Sequence, residues 1–219
     1  MYVGYRWPIS KAATKLDLPS FQLMVRRYLY DHFYPNSELP SNLLDDVAYP
    51  EFSGRVSIFY SATATFHSAS DISGISGLHR ENIHATPSWR NGQPRYDCAF
   101  IHPKTNTFKF NVARILTFFS FVHGGEQFQC ALVHQFFCVA DGPDEDTGLW
   151  IVEPGFTEGG GPQLEIIAIG NIYRAAHLVP VYQSSQYVAR SLTMHDSLDT
   201  FKQFYINKFV DYHAFGITL

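Results

Sequence analysis

Apolar and polar positions alternate most cleanly in the run RVSIFYSATATFH. Val56, Ile58, Tyr60, Ala62, Ala64 and Phe66 interleave there with Ser57, Phe59, Ser61, Thr63, Thr65 and His67. A period of two places the first set on one face of a strand, whereas helical spacing would scatter it around a cylinder. Upstream the period lengthens. Phe21, Met24, Val25, Tyr28, Leu29 and His32 recur at helical spacing, with Pro19 in the first turn and Pro35 stopping the helix after Tyr34. PNSELPSNLLDDVAYPEFSG follows, rich in Pro, Ser and Asn, and reads as a surface connection. In SASDISGISGLHREN, Gly74 and Gly77 are expected to interrupt any regular element.

From Tyr96 onward short apolar runs come quickly: YDCAFI, FNVARILTFFSF, QFQCALVHQFFCV, LWIVE, QLEIIAI and IYRAAHLVPVY. Turn chemistry separates them, with Gly124-Gly125 after the second, DGPDEDTG before Leu149 and TEGGGP before Gln163. Glycine tolerates the positive φ that tight hairpin turns require, so Gly-Gly between two apolar runs predicts a hairpin. Strands spaced this way close into a small barrel or a strongly curved sheet. Leu198, Phe201, Phe204, Tyr205, Phe209 and Tyr212 then suggest one helical stripe behind the capping residues Asp196 and Ser197. The expected fold is α+β and mainly β, a small barrel-like antiparallel sheet with helices at both ends. The segments are an N-terminal helical and loop region 1–54, a β-barrel-like domain 55–190, and a C-terminal helix 191–219 packed on the barrel.

Composition supports a folded chain. Charged residues make up 16% and apolar ones 46% of the sequence, enough to bury a core and too few charges for disorder. No run approaches the ~18 apolar residues of a membrane span, and MYVGYRWPISKAATKL lacks the apolar centre of a signal peptide. Cys98, Cys130 and Cys138 make no even-numbered disulfide framework, which fits a reducing intracellular compartment. Charge is uneven. Residues 1–114 hold 12 Lys and Arg against 9 Asp and Glu, while residues 115–219 hold 4 against 11. Phosphate contact needs clustered cations, so nucleic acid would meet the first half and avoid the second.

Several residue groups invite a chemical reading. Cys130, His134 and Cys138 fall at intervals of four, but on a strand residues so spaced lie roughly 13 Å apart, too far to share an ion. Buried thiols and a hydrogen-bonded core histidine explain them. His79, Glu81 and His84 resemble part of a zinc-deaminase set, yet the Pro-Cys-x-x-Cys element that completes such a site is missing. His123-Gly124-Gly125-Glu126 has no G-x-S-x-G partner and reads as a turn. Asp141, Asp144, Glu145 and Asp146 lack the spacing of a calcium loop and read as a solvated turn. No metal, cofactor or catalytic residue is expected. The strongest surface is HRENIHATPSWRNGQPR, where Arg80, Arg90 and Arg95 surround Trp89: cations for phosphates beside a ring for stacking. Its structural alternative is a loop anchored by Trp89.

A series of phrases also resembles a known family. HRENIHATPSWRNGQPRYDCAFI, NVARILTFFSF, CALVHQFF, PDEDTGLWIVEP, IYRAAHLVPVY and DSLDTFKQFYINKFVDYHAF are similar, in this order, to the C-terminal region of Plavaka-type transposon proteins. These are CACTA-like DNA transposons of mushroom-forming fungi. The likeness runs from about Leu16 to Phe215, with Gln135 and Gly216 standing where the family commonly has Trp and an acid. It implies that strand cleavage belongs to an RNase H-like core upstream, that no catalytic residue lies in this chain, and that the setting is nuclear. The strand pair ARILTFF…CALVHQFF, the acidic loop and NIYRAAHLVPVY are also similar in order to a bromo-adjacent-homology barrel, a likeness of fold that does not establish function.

Three functions stay open on these grounds. The first is a non-catalytic accessory module or remnant of a transposon-encoded protein that contacts protein or chromatin. The second is a DNA-contacting module using Arg80, Trp89, Arg90 and Arg95, with weak or indirect binding. The third is an enzyme built on an unrecognised His/Asp constellation. No membrane partner is expected, and the sequence leaves the oligomeric state open.

Overall fold

The computed structural model describes residues 3–37, 49–68, 77–102, 111–182, 190–193 and 195–218. Within them the chain forms β1 (Val3–Pro8), α1 (Ile9–Lys15) and α2 (Phe21–Phe33), then β2 (Arg55–Phe59), β3 (Ser61–His67), β4 (Leu78–Thr86), β5 (Arg95–Tyr96) and β6 (Cys98–Ile101). The long strands β7 (Asn111–His123) and β8 (Glu126–Cys138) follow, with β9 (Ile151–Pro154), β10 (Leu164–Ala168), β11 (Ile172–Ala176) and β12 (Leu178–Pro180). The end of the chain contributes α3 (Ser197–Thr200), β13 (Phe204–Ile206) and α4 (Tyr212–Ile217). Most of the expected surface connection, residues 38–48, and the expected break at Gly74 lie outside the described residues.

The architecture rests on the β7–β8 hairpin. Gly124 and Gly125 make its turn with φ of +58° and +83°, the left-handed values that Gly-Gly was expected to supply. Each outer edge of the hairpin serves two strands. Along β7, β6 pairs with Asn111–Arg114 and β2 with Phe118–Phe121; along β8, β10 pairs with Cys130–His134 and β9 with Phe136–Cys138. A register shift between Ile115 and Thr117 separates the two halves of β7. Such a bulge adds a residue, bends the strand and raises its twist. The parity of buried residues changes there: Ala113 and Ile115 share a core cluster with Phe118, while Phe119 and Phe121 face the other side. All pairing is antiparallel, in a curled main sheet that runs β1-β2-β7-β8-β9-β13-β12 with β6, β10 and β11 attached, and in a second sheet β3-β4-β5. The fold is mainly β, as the sequence predicts.

Helix α2 forms because Phe21, Val25 and Leu29 fall on one face, and all three are buried. They pack with Ile9 and Ala12 of α1 against Phe119, Phe121 and Leu132, and Phe21 meets Phe119 edge-on at 5.1 Å. Burial of such side chains stabilises by about 2 kcal/mol each. Helix, sheet and bulge therefore share one core.

Four expectations need correction. The alternating run 55–67 is two strands, broken at Tyr60 where the chain passes from one sheet to the other, and its inward faces diverge: Val56 and Ile58 enter one core cluster, Phe59 and Ala62 another. Residues 1–54 include β1, which pairs with β2, and are not solely helix and loop. Residues 78–82, expected to be irregular, belong to the strand β4, which runs on to Thr86; Gly77 (φ +76°) marks its start. The C-terminal stripe is not one helix. Phe204 and Ile206 are buried and Tyr205 half-buried in β13, the period-two pattern of a strand that pairs with β9 on one side and β12 on the other. Of the supposed stripe, Phe209 and Tyr212 are 65% and 74% exposed.

Candidate functional site

The residues expected to touch nucleic acid or a partner lie on and near the β4–β5 hairpin. Arg90 (φ +52°) and Asn91 (φ +62°) make its tight turn, closed by the Gly92 amide donating to the Trp89 carbonyl at 2.9 Å. The guanidinium groups of Arg90 and Arg95 lie 5.4 and 4.9 Å from the centre of the Trp89 ring, within cation–π range. Asp97 holds the base of this cluster. It accepts from Arg95 Nε at 2.8 Å, from the His84 amide at 2.8 Å, and pairs with His84 Nδ1 at 3.0 Å; the His84 ring meets Trp89 edge-on at 4.2 Å. Trp89 thus anchors the hairpin while remaining half-exposed. Arg80 is exposed but lies six residues before Thr86, the partner of Arg95, roughly 20 Å along the strand. Arg26 and Arg27 belong to another site: Arg26 donates to the Tyr49 and Pro50 carbonyls and pairs with Glu51, and Arg27 lies over the Tyr49 ring. The structure brings Trp89, Arg90 and Arg95 together and leaves Arg80, Arg26 and Arg27 apart.

Beside this hairpin a cleft of about 620 Å³ is lined by Glu81, Asp97, Arg114, His177, His195 and Ser197, among others. Its acids are committed elsewhere. Asp97 serves His84 and Arg95, and Glu81 accepts from the Ala175 amide and faces Arg174. Arg114 forms a two-point pair with Asp199 and lies over the Tyr96 ring. Among the described residues no side-chain hydrogen bond joins Ser197 to either histidine.

The spaced Cys130, His134 and Cys138 lie along the single strand β8. Cys130 and Cys98 are buried, and burial pushes both thiols up to about 12. His134 donates from Nε2 to the Gly155 carbonyl at 2.7 Å, and burial holds its pKa below the usual imidazole value. On β4, His79 stacks on Phe66 while His84 turns to Asp97. Among the described residues no three His, Cys, Asp or Glu side chains converge on a metal-sized site.

Two features escape sequence reasoning. The first is a buried ion cluster. Arg174 of β11 is 1% exposed and donates to both Asp211 oxygens at 2.8 and 2.6 Å. Its guanidinium also faces His213 Nδ1 at 3.1 Å and Glu81 at 3.5 Å, and lies 4.5 Å from the centre of the Phe66 ring. Arg174 holds the Asp211 carboxyl down at about 2, while burial and the same guanidinium hold His213 low. Asp211 also caps α4, accepting from the Ala214 amide at 2.7 Å. The cluster therefore fixes the end of the chain on the sheet, and four large apolar residues stand outward there: Phe209, Val210, Tyr212 and Phe215. Lys208, tied to the Gly148 carbonyl, covers the Phe209 and Phe215 rings at 5.5 Å. An arginine inside the apolar run IYRAAHLVPVY was the one available signal, since a buried cation demands a partner.

The second is a cleft of about 1020 Å³ between β1, α1 and the β7 bulge. Tyr5, Trp7, Tyr60 and Tyr96 supply aromatic surface, with Tyr5 stacked on Trp7 at 5.2 Å and edge-on to Tyr60 at 6.4 Å. Burial raises the Tyr60 and Tyr96 hydroxyl pKa values. Lys11, Lys15 and Asp17 stand at its rim.

Compared with known proteins, the chain matches no family model, no curated protein and no solved structure. Among the described residues no helix is long and apolar enough to cross a membrane.

Proposed function

We propose that this chain is a non-catalytic accessory module of a Plavaka-type transposon protein, acting in the nucleus by contact with another protein. One observation carries the reading. Phe209, Val210, Tyr212 and Phe215 are each exposed, with Phe209 against Phe215 at 6.2 Å, on a segment that the Arg174–Asp211 pair fixes to the sheet. Contiguous apolar surface rimmed by polar groups marks a contact site, and a rigid mount lowers the ordering cost of binding. The resemblance supplies the partner: the RNase H-like core of the same transposon protein, encoded upstream.

The experiment joins the chain to its upstream reading frame and follows amide exchange over residues 209–215 in the joined protein and in the chain alone. Protection of that segment, lost in Phe209→Ser/Tyr212→Ser with an unchanged melting temperature, supports the reading. An upstream frame without such a core, or equal exchange in both proteins, overturns it.

DNA contact is a second reading, favoured by the exposure of Arg80 and of Arg90 beside the Trp89 ring. It ranks lower because Arg95 is committed to Asp97 and Arg26 to residues 49–51.

A further inference from the structure

We propose that the cleft between α1 and the β7 bulge binds a small amphipathic monoanion, an apolar organic body carrying one acidic group. The site is distinct from the Phe209–Phe215 surface and rests on no part of the protein-contact reading. Its shape comes from the bulge, which places the consecutive residues Leu116 and Thr117 on the same cleft. Ile58, Leu132 and Leu164 complete an apolar floor, and Tyr5, Trp7, Tyr60 and Tyr96 add flat aromatic surface. A volume of about 1020 Å³ lies at the upper end of small-molecule pockets, and an apolar lining with a few converging polar groups is their usual composition.

The polar groups set the charge of the occupant. Lys11 and Lys15, one turn apart on α1, are both exposed and carry no ion pair among the described residues. Asp17 shares the rim, so two positive charges against one negative leave room for a single anionic group. At the floor, the Thr117 hydroxyl is buried, and its hydrogen bond to the Phe118 carbonyl is long at 3.4 Å. A hydroxyl bond normally closes to about 2.7 Å, so this group retains capacity for a ligand atom.

The test uses the full chain and two fluorescent probes with the same aromatic body. One is 8-anilinonaphthalene-1-sulfonate, a monoanion; the other is N-phenyl-1-naphthylamine, which is neutral. The sulfonate is expected to bind saturably, one per chain, with energy transfer from Trp7. Lys11→Glu/Lys15→Glu, on an exposed helix face, should weaken the sulfonate about tenfold and the neutral amine less than about twofold. Trp7→Phe, checked for folding by near-ultraviolet dichroism, should lower the transfer, with Trp89 and Trp150 supplying what remains. Non-saturable binding, equal loss for both probes in the lysine variant, or transfer unchanged in folded Trp7→Phe would each overturn the proposal.

Discussion

Arg174 and Asp211, 37 residues apart in sequence, form a two-point ion pair at 2.8 and 2.6 Å, with the guanidinium almost wholly withdrawn from solvent. The pair joins β11 to the cap of α4 and so connects the sheet to the chain's end. A buried cation is costly to desolvate, and its attraction to one carboxylate offsets that cost only with further hydrogen bonds. Glu81, His213 and the Phe66 ring face supply further contacts, while Arg174 Nε is buried without a hydrogen-bond partner among the described residues.

Removing one partner should therefore cost more than removing both. Asp211→Ala leaves Arg174 buried without its main counter-charge and takes the cap from α4, a loss on the order of 3 kcal/mol. Arg174→Leu combined with Asp211→Leu should recover a large part of it. Urea midpoints of wild type, single and double variants check this; a double variant no more stable than Asp211→Ala would show that the pair is not what holds α4.

The same cluster, together with His134 on β8, predicts a two-stage acid limb. His213 and His134 have folded pKa values below the ordinary 6.5, so their neutral forms favour the folded state. The unfolded chain binds those protons first, and stability should begin to fall below about pH 6.5. Asp211 adds a second stage: its pKa drops from 3.8 to about 2, so its contribution is intact above about pH 4 and is lost as pH falls toward 2. Asp211→Asn should flatten the second stage and, by removing a charge that raises His213, deepen the first, while His134→Asn/His213→Asn should flatten the first. Denaturant midpoints from about pH 8 to about pH 2 measure both.

The strands of the β7–β8 hairpin were legible because their apolar runs are long and a Gly-Gly turn divides them. β4 was not: in LHRENIHAT only Ile83, Ala85 and Thr86 are buried, while the first half is half-exposed and rich in His, Arg and Glu. Without inward-facing apolar residues at every second position no period appears. β13 is hidden because Phe201, Phe204 and Tyr205 also satisfy helical spacing, and three residues are too short a run for a period of two to show. Trp89, Arg90 and Arg95 could be grouped from local sequence, as they occupy one hairpin. Arg174–Asp211 and the aromatic cleft could not. They are assembled from distant segments, and a bulge that reverses the parity of β7 leaves no trace in composition.

Leu132 and Glu145 test the core and turn assignments directly. Leu132 is 2% exposed in the centre of β8 and packs with Phe119, Phe128 and Ile166. A carboxylate there loses apolar contact and is buried unpaired, so Leu132→Asp should cost several kcal/mol and unfold the chain at ambient temperature. Glu145 is exposed in the acidic turn, where Glu145→Ala should change stability by less than about 0.5 kcal/mol. Thermal melts compare them, and equal shifts would refute both placements.

Binding to DNA, if measured, should be weak and governed by salt. Arg95 is held by Asp97 and Arg26 by Glu51 and two carbonyls, which leaves Arg90, exposed beside Trp89, and Arg80, exposed but roughly 20 Å away along β4. Two phosphate contacts release about two counterions, giving a slope near −2 for log affinity against log salt. Arg80→Ala/Arg90→Ala should abolish the signal without moving the melting temperature, because neither side chain is buried. Arg95→Ala should instead lower stability, since it strips Asp97 and the Trp89 ring of a partner. A fluorescence-anisotropy titration from low to physiological salt separates these outcomes. Tight binding that is insensitive to salt would overturn both the charge assignment and the preference for protein contact.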